Sequence, residues 1–261
     1  MAKNKEIKEN PLITFDNPRS VTSEKFRGIR TNIMFSTADN DIKSIVFTSE
    51  KPSAGKSLVS ANVAVTYAQA GYKTLIIDGD MRKPTQHYIF KTSNVDGFSN
   101  LIINQSYLGK AIENTEVEGL DLLTSGPIPP NPSELIGSSQ CQSILEELYE
   151  IYDIIIIDTP PVNTVTDAQL FAEISGYVAM VVDVKKNDRN AVKKAKELIE
   201  KAGAKVLGVI LNKTTPDKSS SYYAYYGEEK NDWYAQPYNS KCRWWTSRQT
   251  RNDCLIKTSS R

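Results

Sequence analysis

Apolar residues fall into short runs rich in β-branched side chains, separated by stretches whose apolar positions recur every three to four residues. The runs SIVFTS (44–49), TLIID (74–78), LDLLTS (120–125), DIIIID (153–158), YVAMVVDV (177–184) and KVLGVILN (205–212) predict strands. Helical patterns run between them over 57–70, 140–151 and 187–202. The first and last of these stop at Gly71 and Gly203, the residue type best suited to the left-handed turn past a helix end. Strands alternating with helices imply right-handed crossovers, and so a doubly wound α/β fold with a mostly parallel central sheet and helices on both faces. The unbroken run Ile154–Ile157 suits a strand buried on both sides.

The pattern ends at Leu211, and no strand or helix is expected beyond it. From Ser219 the chain is rich in Ser, Tyr, Asn and Arg without periodicity, and Trp233, Trp244 and Trp245 all lie past Asn231. The expected division is a flexible segment 1–15, a domain over 16–213 and a mobile tail 214–261. The tail carries a tyrosine cluster at 222–226 and an atypical extension at 231–261. A hydrophobic content of 39% supports a real core, and a net charge of +1 gives no general attraction to nucleic acid or anionic lipid. The start, MAKNKEIKENPLITF, lacks the apolar core of a signal peptide, and no apolar run reaches the roughly 18 residues of a membrane span. Cys141, Cys242 and Cys254 are odd in number and irregularly spaced, which argues against a disulfide framework or a zinc site. These features predict a soluble cytoplasmic protein.

The chemistry begins where the first strand runs into EKPSAGKS and then a helix. Gly-Lys-Ser at a strand-to-helix turn is the core of a phosphate-binding loop, whose backbone N–H groups and helix N-terminus attract phosphate oxygens. Lys56 would reach the β- and γ-phosphates, and the Ser57 hydroxyl would ligate Mg²⁺. Glu50 stands where such loops usually carry their first glycine, and Ser53 and Ala54 replace residues that are often Gly. On its own, Gly-Lys-Ser is also compatible with an ordinary helix start bearing a surface lysine. Asp158 ends IIIID before Thr-Pro-Pro, at a strand's carboxyl edge, where ligands bind in open α/β sheets; it would hold the metal through water. Asp78 and Asp80 end a second such strand in TLIIDGDMRKP. If the chain bends at Gly79, both carboxylates face one crevice, one serving the metal and the other accepting a proton.

Two further patterns lie outside this crevice. Glu24, Arg27 and Arg30 recur every third residue in SEKFRGIRTNIMF, with Ser23 as the expected N-cap and Phe26, Ile29 and Ile33 on another flank. An acid beside two arginines suits salt bridges to a neighbouring subunit, and equally a solvated charged face. KSSSYYAYYGEE (218–229) places Tyr222, Tyr223, Tyr225 and Tyr226 within five positions. By composition this could be a strand, an adhesive segment or a substrate.

SEKPSAGKS, LIIDGDMR and IIIIDTPP resemble the Walker A, A′ and B motifs of the bacterial tyrosine kinases (BY-kinases), a branch of the deviant P-loop NTPases. The resemblance runs over roughly residues 15–229 and is closer still to the capsular-polysaccharide kinases of the CapB type. It implies that ATP lies on Ser53, Ala54, Gly55, Lys56, Ser57 and Leu58, with Asn212 at the adenine. Ser57, Asp78 and Asp158 would organise Mg²⁺, and Asp80 would take the tyrosine proton, with Lys56, Asp78 and Arg82 completing the catalytic set. The four tail tyrosines would be phosphorylated between neighbouring subunits of a ring held by Glu24, Arg27 and Arg30. It further implies a transmembrane activator, a polysaccharide co-polymerase with a cytoplasmic tail, which recruits the kinase to the membrane's inner face, and a cognate tyrosine phosphatase. The process regulated would be capsular or exopolysaccharide synthesis and export. GPIPPNPSELI (126–136) resembles a loop near the family's active site, while Lys51 matches the signature lysine of partition-type ATPases. The alternatives are such an ATPase switch without kinase activity, or a binding module in which ATP is structural and the tyrosine tail adhesive.

Overall fold

The run at 154–157 lies in the middle of the molecule. In the computed structural model, which describes residues 11–37, 42–186 and 188–214 and the backbone of Arg243–Trp245, this run forms most of β5 (Ile154–Asp158). The remaining strands are β1 (Ser44–Ser49), β2 (Thr74–Asp78), β3 (Ile112–Asn114), β4 (Leu120–Leu123), β6 (Tyr177–Asp183), β7 (Lys205–Asn212) and β8 (Arg243–Trp245). They form one sheet in the order β3-β4-β2-β5-β1-β6-β7-β8. The strands from β4 to β7 are mutually parallel, and the two edge strands, β3 and β8, are antiparallel.

All six expected strands are present, and the doubly wound architecture is as expected. Neither edge strand was expected. The three-residue β3 is too short to show a period, and β8 corrects the expectation that no strand follows Leu211.

The helices are α1 (Ile13–Asp16), α2 (Val21–Ser36), α3 (Lys56–Ala68), α4 (Gln86–Ile89), α5 (Phe98–Ile102), α6 (Leu108–Ala111), α7 (Pro132–Ile136), α8 (Ser139–Ile151), α9 (Asp167–Ser175) and α10 (Arg189–Lys201). Successive strand residues point to opposite faces, so the sheet feeds two cores. Ile155 and Ile157 pack with Leu145, Leu148, Phe171 and Ile199 of the helices on one face. Ile154 and Ile156 pack with Phe26, Ile29, Ile33, Val59 and Val63 on the other. Helix α3 is buried along almost its whole length, because α1 and α2 cover the side turned away from the sheet.

Two local expectations change. Helix α2 is capped by Ser20, whose hydroxyl accepts from the Ser23 amide, and not by Ser23. The Ser23 hydroxyl is instead buried, donating to the carbonyls of Asn17 and Ile13. Residues 11–15, placed in the flexible segment by sequence, pack on α3. There the Asn62 side chain accepts from the Thr14 amide and hydroxyl (3.1 and 2.8 Å) and donates to the carbonyls of Pro11 and Leu58.

Candidate active site

Parallel register brings the chemistry together. In the β2–β5 ladder Asp78 is the partner of Asp158, so two strand-ending carboxylates arrive side by side without any long-range coincidence. Strand β1, beside β5, ends in the loop that starts α3. That loop passes through two left-handed residues, Ser53 (φ 61°) and Gly55 (φ 92°). Gly55 is required twice over, by its φ and by space. A Cβ there would lie 2.2 Å from the Asn212 side-chain nitrogen.

Asn212, at the end of β7, donates from Nδ2 to the Ala54 carbonyl at 2.9 Å. The next residue, Lys213, reaches the Ser53 carbonyl at 2.6 Å and Asp183 Oδ2 at 2.9 Å. The residue expected at the adenine therefore fastens the loop from below. Glu50, in place of the usual first glycine, turns its carboxylate fully inward, 3.4 Å from Lys51 Nζ, and burial raises its pKa. Lys51 also donates to the Lys186 carbonyl, so its charge is engaged within its own chain.

Lys56 curls into the acids. Its Nζ lies 3.0 Å from Asp80 Oδ2, 3.4 Å from Asp158 Oδ1 and 3.2 Å from the Ser57 hydroxyl. Burial works against its charge, but the carboxylates of Asp158 and then Asp80 outweigh burial and hold its pKa above the ordinary lysine value. Asp78 is completely buried. Burial, with the adjacent Asp158 second, pushes its pKa up to about 7. Its oxygens accept from the backbone amides of Thr85 (2.8 Å), Gln86 (2.9 Å) and Asp80 (3.3 Å). Asp158 is likewise raised by burial, against the pull of Lys56. The bend at Gly79 is real: its amide donates to the Asp158 carbonyl at 2.7 Å, and a Cβ would clash with that same oxygen at 2.9 Å.

The site brings together Lys56, Ser57, Asp78, Asp80 and Asp158. Arg82 lies apart from this cluster, as a fork on Asp167 with Nε to Oδ2 at 2.8 Å and Nη2 to Oδ1 at 3.0 Å. The Ser133 hydroxyl completes that cluster, donating to Asp167 Oδ1 at 2.7 Å and lying 2.9 Å from Arg82. Ser133 belongs to the Pro-rich stretch 126–136, so Arg82 ties the turn after β2 to that loop. Glu24 and Arg27 pair on the exposed side of α2. Arg30 instead turns inward and donates to the Thr66 carbonyl of α3. The four tail tyrosines lie outside the described residues.

Sequence reasoning missed Gln86, Asp167 and Ser133. Gln86 follows DMRKPT in no motif, and Asp167 at a helix start reads as an ordinary first-turn acid.

Among the described residues, no group of three or more His, Cys, Asp or Glu is disposed to hold a metal by itself. The donor set still fits Mg²⁺ of the phosphate-bridging kind, which keeps several waters and takes few protein ligands. A serine hydroxyl opens the helix, and buried carboxylates exceed the one ammonium among them. Ser57 would hold the ion, with Asp158 behind it.

Fold and site together define a P-loop NTPase in which a second acid-bearing strand end, Asp78-Gly-Asp80, faces the loop lysine. The AAA domain family matches residues 42–209. CapB of Staphylococcus aureus is 62% identical over 220 residues, covering 84% of this chain and 96% of that protein. The tyrosine-protein kinase YwqD of Bacillus subtilis is 40% identical over 220 residues, covering 84% and 92%. The crystal structure of the chimerical protein CapA2B2 superposes with a TM-score of 0.76 at 59% identity, covering 78% of this chain and 90% of that one. The chain belongs to the bacterial tyrosine-kinase family of P-loop proteins. Among the described residues no helix is long and apolar enough to cross a membrane.

Proposed function

We propose that this protein is an ATP-dependent protein-tyrosine kinase that phosphorylates the cluster Tyr222, Tyr223, Tyr225 and Tyr226 on a neighbouring copy of itself. The observation that carries this reading is Asp80. It is an acid distinct from Asp78 and Asp158, with Oδ1 on the Lys83 amide and Oδ2 standing 3.0 Å from the phosphate-loop lysine, where a base for an acceptor hydroxyl is needed. Lys56 and the loop amides hold the β- and γ-phosphates. Asp80 orients the tyrosine hydroxyl and takes its proton as the phenol oxygen bonds to the γ-phosphorus and the bond to the ADP oxygen breaks. A free phenol has a pKa of about 10, so a carboxylate at that position lowers the cost of generating the nucleophile. Ser57, with Asp158 behind it, would hold Mg²⁺, which would supply positive charge against that developing on the phosphates. Arg82 acts by holding the turn that carries Asp80.

The tail supports transfer between copies, since four closely spaced tyrosines cannot all reach one site at once. Each phosphate adds about −1.5 to −2 charge, so a phosphorylated cluster repels its neighbours and the acidic crevice. The exposed Glu24–Arg27 pair is available to a subunit contact in a ring; Arg30 would support α2 from within. A similar chain was solved as part of the chimerical protein CapA2B2; the association that the family resemblance implies is with the cytoplasmic tail of a membrane activator. Recruitment to the membrane's inner face and control of capsular or exopolysaccharide output follow from that association, with a phosphatase resetting the cycle.

The test is incubation with Mg-ATP and an activator tail fragment, followed by mass spectrometry of residues 218–229. Phosphotyrosine is expected, and none with Asp80→Ala. Steady phosphate release without phosphotyrosine would instead indicate a partition-type ATPase.

A further inference from the structure

Gln86 opens α4 and is completely buried. Its backbone amide donates to Asp78 Oδ2 at 2.9 Å. Its side-chain nitrogen lies 2.9 Å from Asp158 Oδ2, 3.1 Å from the Ser57 carbonyl and 3.3 Å from the Ser60 hydroxyl. One residue thus joins both strand-end acids to the first turn of α3. The orientation of the amide follows from charge, because turning it over would set its oxygen against the Asp158 carboxylate. With Oδ2 of Asp158 taken by Gln86, the other oxygen, Oδ1, is the one that faces Lys56. The Gln86 oxygen Oε1 is itself buried, with no hydrogen-bond partner among the described residues.

We infer that Gln86 is a positioning residue for the divalent cation of this site. It locks Asp158 by holding Oδ2, so that Oδ1 alone is left on the Lys56 side, where the metal would be held. Partners of this kind behind a metal commonly govern affinity by about 10–100-fold. The inference rests on the nucleotide-site reading but not on tyrosine being the acceptor. The competing explanation is structural: Gln86 simply pins α4 to α3. The two differ in what happens without metal. A structural pin, once lost, would weaken nucleotide binding equally with and without Mg²⁺.

The experiment measures binding of a fluorescent ADP analogue, N-methylanthraniloyl-ADP, to the full chain in EDTA and across a Mg²⁺ titration, for wild type and Gln86→Met. Met keeps the volume and loses the polar contacts. The expected result is unchanged affinity in EDTA and a Mg²⁺ midpoint raised about tenfold. An equal loss in both conditions, or an unchanged midpoint, overturns the inference. Wild-type protein that fails to bind the analogue at all overturns the nucleotide site itself, and this inference with it. Should Gln86→Met not fold, the wild-type side-chain amide resonance of Gln86 decides. It should shift on adding Mg-ADP beyond its shift with ADP in EDTA, and identical spectra would reject the role.

Discussion

Lys56 Nζ and Asp80 Oδ2 lie 3.0 Å apart with both side chains almost fully buried, so the phosphate-loop lysine is paired with the acid proposed to take the tyrosine proton. The ammonium stands among Asp80 and Asp158 and offsets their charge. Lys56→Met is therefore more than a binding defect: it strips the counter-charge from buried carboxylates. We expect it to lower unfolding free energy by about 3 kcal/mol in nucleotide-free urea titrations. Adding Asp80→Asn should recover part of that loss. Purely additive effects of the two changes would contradict the pairing.

Ser53 occupies left-handed backbone at φ 61°, which costs a residue with a side chain about 1–2 kcal/mol. Its side chain is exposed, so little packing is lost on removal. Ser53→Gly should stabilise the protein by about 0.5–1 kcal/mol, the greater freedom of glycine in the unfolded chain offsetting part of the relief. Urea midpoints compare the two; a less stable Gly variant would show that the serine is held by something other than backbone geometry.

The strands and the carboxylates at their ends were legible because parallel register and strand length follow directly from pattern. Once TLIID and IIIID are neighbouring parallel strands, Asp78 and Asp158 must meet. Gln86 and Asp167 were not legible, since each acts across 26 to 85 residues of chain through side-chain geometry that no spacing encodes. Asn212 shows the limit from the other side. Its place at the end of β7 was read correctly, while its contact with the Ala54 carbonyl depends on the loop conformation that Gly55 permits. Arg30 is a similar case. Its spacing puts it beside Arg27, but only the packing of α2 on α3 turns it toward Thr66.

Arg82 and Asp167 form a two-pronged ion pair in which Asp167 is fully buried and Arg82 is partly exposed. Arg82→Ala leaves that carboxylate without its fork and should cost about 2–3 kcal/mol. Arg82→Lys should recover only part, because an ammonium cannot make both bonds at once. If the pair also steadies the turn bearing Asp80, the Lys variant will lose kcat for tail phosphorylation while its KM for ATP changes little. Equal changes in both would assign Arg82 to nucleotide binding.

Asp78 gives the nucleotide-free protein a pH dependence whose sign is fixed by its raised pKa. In the unfolded chain the group loses its proton near pH 4. In the folded chain, burial and then Asp158 keep it protonated up to about 7. Between those values the folded state holds a proton that the unfolded state has released. The stability this proton confers is complete below about pH 4 and is lost as pH rises through about 7, with a limiting slope of about 1.4 kcal/mol per pH unit. Asp158, raised by burial, acts in the same direction. Asp78→Asn cannot titrate, and it retains one oxygen for the amides of Thr85 and Gln86. Its stability relative to wild type should therefore rise from pH 5 to pH 7.5 in urea titrations with EDTA. A gap that stays constant across that range would mean that Asp78 is already ionised at pH 5, held by the three backbone amides that it accepts.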